Sequence, residues 1–80
     1  MLVITDPYIK SAFDWVVDVV KLGELDGDTA IQTMADFWDA EMLQAVSDEL
    51  TILVCDEVED VETYDRALYL VLRAIIKQRA

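Results

Sequence analysis

Carboxylates are the only abundant functional groups in this 80-residue chain: seventeen Asp and Glu stand against six Lys and Arg, with no His, one Cys and one Pro. Without imidazole there is no catalytic triad, no histidine-based zinc site and no ordinary general base. An enzyme built from these residues would be a hydrolase holding Mg²⁺ or Mn²⁺ on Asp and Glu oxygens. Pairs three residues apart put two carboxylates on one helix face, and Glu59 with Glu62 or Glu57 with Asp60 has that spacing. In so acidic a chain such pairs arise by chance, and no second pair lies on an inward-facing stripe to complete a metal site. The Mg-dependent carboxylate-cluster hydrolase therefore ranks behind the non-catalytic readings, and no cofactor is expected.

The segment Glu24-Leu25-Asp26-Gly27-Asp28 bears a superficial likeness to a calcium loop, but its glycine precedes the third acidic position instead of following it. Ala35 stands at the twelfth place counted from Glu24, where a closing glutamate is required. Gly23 and Gly27, with no Lys following, cannot form a phosphate-cradling loop, which excludes nucleotide hydrolysis of the P-loop kind. Cys55 ends the apolar run Thr51-Ile52-Leu53-Val54-Cys55, with no His or nearby cation to lower its pKa, and reads as a small buried apolar group. A lone cysteine makes no internal disulfide, so a reducing, cytoplasmic setting is expected.

Charge is the strongest signal. The net charge is −11, and between Lys21 and Arg66 there is no cation at all. Four of the six cations, Arg66, Arg73, Lys77 and Arg79, fall in the last fifteen residues, where a helix C-terminus favours them through its dipole. Such an excess of like charge costs some stability through self-repulsion but attracts basic partners and repels DNA and RNA backbones. Asp36, Asp39, Glu41, Asp48, Glu49, Asp56, Glu57, Glu59, Asp60 and Glu62 are the candidate partner-binding carboxylates, with Trp38 as an aromatic anchor.

The elements that position these groups read as helices. At 55% apolar the chain is too hydrophobic to be disordered. Its charge-free stretches, Leu50 to Cys55 and Ala67 to Leu72 among them, fall far short of the ~20 apolar residues of a membrane span. No targeting segment is recognisable either. Asp6-Pro7 is a helix start, Ile9, Ala12, Phe13, Val16, Val19 and Val20 recur at helical spacing, and Gly23 is a C-terminal cap. The first helix thus spans residues 7 to 22. Its polar stripe, Lys10, Asp14, Asp18 and Lys21, is narrow enough that the helix wants cover on two sides.

Asp28 or Thr29 is expected to cap a second helix containing Ala30, Ile31, Met34, Ala35 and Trp38, and Asp39 a third with Met42, Leu43, Val46, Leu50 and Leu53. Adjacent Phe37 and Trp38 stand about 100° apart on a helix, so both turn inward only if packing comes from two sides. One of the pair is then left for a partner. The β-branched run 51–55 reads either as the end of the third helix or as a short strand pairing with residues 1–5. After an acidic loop, Asp56 to Asp60, the last helix continues almost to Ala80. Its expected buried stripe is Tyr64, Ala67, Leu68, Val71, Leu72, Ile75 and Ile76, and Glu62 with Arg66 is an i,i+4 pair.

The chain is therefore expected to be one acidic domain, residues 1–80, folded as an all-α bundle of three to four helices, or as α+β if 1–5 and 51–55 pair. In size, charge and helicity it is similar in kind to small phage- or plasmid-encoded inhibitors of nucleases, restriction enzymes and CRISPR effectors, and to some toxin-neutralising immunity proteins. No motif carries that likeness. It implies a non-catalytic, nucleic-acid-mimicking protein that docks on the basic surface of a nuclease or other nucleic-acid-binding effector and blocks it. The alternative is a small homodimeric structural or assembly adaptor, because a chain this short buries only ~60–65% of its unfolded surface and gains by self-association.

Overall fold

Asp6 opens the fold: its carboxylate accepts the amide of Tyr8 at 2.8 Å, and Pro7 follows at the first helical position. The computed structural model describes residues 6–80 and contains four helices: α1 (Pro7–Leu22), α2 (Gly27–Phe37), α3 (Ala40–Cys55) and α4 (Val61–Arg79). The molecule is an all-α bundle. Gly23 ends α1 at φ 65, a left-handed conformation that only glycine adopts without steric cost.

Helix α2 begins earlier than its sequence suggests. Asp26, rather than Asp28 or Thr29, is its N-cap, its Oδ1 accepting the Thr29 amide at 2.7 Å. Asp28 then falls in the first turn, where the helix dipole also favours a carboxylate. Residues 51–55 are helical and complete α3, so no strand forms there; residues 1–5 lie outside the described part of the chain. Once Asp39 starts α3, the run of backbone hydrogen bonds carries the β-branched residues along, and their weak strand preference yields to packing.

Helices α3 and α4, joined by the short loop 56–60, share the largest interface of the bundle. Helix α2 runs beside the C-terminal half of α4 in the same sense: Gly27 sits against Leu70, and the Gln78 side chain reaches the carbonyls of Ala35 and Trp38. Helix α1 lies across α3 and α4. The core between them consists of Val16, Met34, Leu43, Val46, Leu50 and Val71, all fully buried, with Ala30, Ala67 and Ala74 at the closest approaches. Each such Val, Leu or Met contributes about 1.5–3 kcal/mol by leaving water.

Three sequence expectations are corrected. Leu72 and Ile76 are exposed on α4, because its buried stripe is centred on Ala67, Leu70, Val71 and Ala74. Small Ala at positions 67 and 74 lets the neighbouring helices approach on that side. Cys55 is exposed, not buried, since it falls seven residues after Asp48 on the outward face of α3. Glu62 and Arg66 do not pair; the Arg66 guanidinium lies 5.8 Å from the centroid of the Tyr69 ring instead.

Candidate functional site

The carboxylates divide into those that helix physics explains and those that it does not. Asp39 belongs to the first kind: its Oδ1 accepts the Met42 amide at 2.8 Å and caps α3. Glu41 and Glu62 occupy the first turns of α3 and α4, where the positive end of the dipole stabilises them. Asp36 accepts from the Gln32 side-chain amide at 2.6 Å, and Asp48 from that of Gln44 at 3.0 Å, both as i,i+4 pairs on exposed faces.

Asp56 and Glu57 are of the second kind, and Glu59 and Asp60 share their loop. Asp56 ends α3 and Glu57 follows it, so two negative charges sit at the negative end of the helix dipole with no basic residue in the last turn. Glu57 has φ 51 and Asp60 φ 62, left-handed conformations that cost a residue with a Cβ about 1–2 kcal/mol relative to glycine. The Asp60 side chain makes no capping bond to α4. All four are exposed, and Val58 between them is half-buried.

Helix α3 separates the α2–α3 corner, with Asp36, Trp38, Asp39 and Glu41, from the acidic loop by about 23 Å at 1.5 Å per residue. One exposed face, Glu41, Gln44, Asp48, Thr51 and Cys55, joins the two ends. Glu49 is off that face and half-buried; its Oε2 is buried with no hydrogen-bond partner among the described residues. The candidate acids thus form a strip with a dense end at the loop rather than one compact patch. Among the described residues the only ion pair is Lys10–Asp14 at 2.7 Å, so the α4 cations neutralise none of them. No three carboxylate or thiol groups among the described residues converge in a way that could hold a metal ion. Among the described residues no helix is long and apolar enough to cross a membrane.

The corner end carries an aromatic cleft of about 430 Å³ between α1, α2 and the start of α3. Trp15 and Trp38 meet edge to face with ring centroids 5.6 Å apart, and Tyr8, Phe37 and Met42 complete the walls. Trp38 is half-buried in this contact, whereas Phe37 is 81% exposed and Tyr8 75%. Phe37 is therefore the member of the adjacent pair turned to solvent. Gln78 fixes the corner by donating to the carbonyls of Ala35, at 3.1 Å, and Trp38. Sequence reasoning flagged Trp38 and the rivalry with Phe37 and placed Tyr8 only on the widened apolar arc of the first helix; it had no signal for Gln78, forty residues away from the corner it holds.

Comparison with known proteins finds no counterpart: no family model matches the chain, and no curated protein or solved structure matches it at a significant level.

Proposed function

We propose that this protein is a non-catalytic acidic binding protein that docks on the basic surface of a nucleic-acid-handling protein, occupies the ground where phosphates lie, and blocks it. The observation that carries this reading is the loop 56–60, where four exposed carboxylates fall within one short turn, Asp56 and Glu57 at the negative end of the α3 dipole and Glu57 and Asp60 in glycine-like backbone conformations. The fold is better served by other residues there, so the charge answers to something outside the chain. From the loop, Asp48 and Glu41 extend the negative strip along α3 to the aromatic cleft. Phe37 offers an apolar anchor at that end. Lys and Arg side chains spaced to follow a phosphate backbone are the complement of such a strip.

The test uses the immobilised chain to retain a partner from its native host at low salt, then challenges the complex with a salt series and with duplex DNA. Both are expected to release the partner, because charge steering weakens with screening and DNA competes for the same cations. Asp56→Asn, Glu57→Gln, Glu59→Gln and Asp60→Asn in one chain should lower affinity at least tenfold with the circular dichroism spectrum unchanged. Phe37→Ser should weaken binding while leaving the salt dependence in place. A partner that resists salt, DNA and the fourfold neutralisation alike would overturn the proposal.

A further inference from the structure

Helix α4 presents a second surface, independent of the acidic strip. Tyr69 is 53% exposed, Leu72 44% and Ile76 57%, and their spacing of three and four residues makes one apolar row on the outward side of the longest helix. A helix of this kind ordinarily turns such a row inward. Charge is graded along the same side: Glu62 and Asp65 precede the row with Arg66 between them and Tyr69, and Arg73, Lys77 and Arg79 accompany and follow it. None of these six makes an ion pair among the described residues.

We infer that the outward face of α4 is a self-association surface whose occupant is α4 of a second copy of this chain, packed antiparallel about a two-fold axis. The charge order selects both the occupant and the direction. With Tyr69 set opposite Leu72 of the second copy, the register places Arg79 opposite Glu62 and Lys77 one position along from Asp65, within reach of its long side chain, twice over by symmetry. A parallel arrangement would bring acids against acids and bases against bases. The same face holds four of the six cations of a chain with net charge −11, so it is where two copies meet with least repulsion.

Sedimentation across a concentration series tests this at physiological ionic strength, where a Debye length of about 8 Å screens the long-range repulsion between acidic chains. The unaltered chain is expected to move from monomer to dimer as concentration rises. Glu62→Lys with Asp65→Lys, and separately Lys77→Glu with Arg79→Glu, should each weaken association at least tenfold, because each sets like charges opposite one another. An equimolar mixture of the two variants should recover the dimer, since each then supplies what the other lacks. Leu72→Gln with Ile76→Gln, changes confined to exposed side chains, should also weaken association at least tenfold and decides the matter if a charge-reversed chain does not fold. A chain that stays monomeric, a dimer indifferent to the Leu72 and Ile76 changes, or folded charge variants whose mixture fails to recover would each overturn the inference.

Discussion

Asp39 stands at the corner that joins the strip to the aromatic cleft, and replacing it by Ala and by Asn separates its charge from its hydrogen bond. Its Oδ1 takes the Met42 amide, one of the otherwise unpaired donors at the start of α3. Loss of such a cap costs about 1 kcal/mol, within a range of about 0.5–2 kcal/mol. Asn keeps the acceptor and forfeits only the interaction of the charge with the dipole, about 0.3–1 kcal/mol at an exposed site, which relief of self-repulsion in so acidic a chain offsets in part. A domain of this size shifts its melting temperature by about 4–8 °C per kcal/mol. Asp39→Ala is therefore expected to melt about 6 °C below the parent, and Asp39→Asn within about 3 °C of it, in thermal denaturation followed by circular dichroism. Urea titration with an unchanged m-value would show that the effect lies in the folded state. If the Ala and Asn variants melted together, the Met42 hydrogen bond would contribute nothing and Asp39 would be a surface charge like any other.

Gln78→Met removes both donations to the α2–α3 corner and should cost about 1–3 kcal/mol through the carbonyls left unpaired. Gln78→Glu should cost more at neutral pH, and part of the loss should return on acidification, because carbonyl oxygens facing the new carboxyl raise its folded pKa and favour the protonated form. Glu49→Met, which replaces the unpaired Oε2 by apolar atoms and keeps a good helix former, should stabilise the fold by about 1 kcal/mol in chemical denaturation. Glu57→Gly should stabilise by about 1 kcal/mol for a different reason, the release of a left-handed backbone, while weakening the proposed docking. The Asp26 carboxyl, held below the ordinary aspartate value by the Thr29 amide first and the Thr29 hydroxyl second, should titrate below that value in an NMR pH series. Its contribution is present above the ordinary value of about 3.9 and is lost as pH falls through the lowered one, so capping of α2 should persist below the pH at which an ordinary aspartate protonates.

The helices were legible because each start carries its own chemistry. Asp6 with Pro7, Asp39 with Glu41, and Gly23 after Leu22 are local devices whose effect does not depend on what packs above them. The Asp26 cap was missed because Asp28 and Thr29 are equally competent by type, and only the backbone entering α2 decides which oxygen reaches the Thr29 amide. The fate of Leu72 and Ile76 was not legible for a related reason. A helix apolar on more than half its circumference has no unique buried stripe until its neighbours choose one, and here Ala67 and Ala74 admit the closest approach. Cys55 followed the same logic on α3, where its apolar neighbours in sequence are not its neighbours in space.

The candidate site repeats this division between what is local and what is collective. An excess of Asp and Glu is visible in any sequence, but the work each one does depends on where the helices end. Asp39, Glu41 and Glu62 stabilise their own helices, and Glu49 lies off the exposed face, so none of these needs a partner to account for it. Asp56 and Glu57 lie at the C-terminus of α3, where Lys, Arg and Gly would serve the fold better, and Glu59 and Asp60 crowd two more carboxylates into the same loop, Asp60 in a left-handed conformation. That contrast turns a diffuse statement about net charge into one about four positions. If neutralising those four stabilises the isolated protein while abolishing its docking, the charge and the fold have opposing requirements at the loop, as expected of carboxylates kept for a second molecule. If neutralisation neither stabilises nor disrupts docking, the acidity of the loop is a solubility feature, and the aromatic cleft beside Phe37 becomes the surface to test.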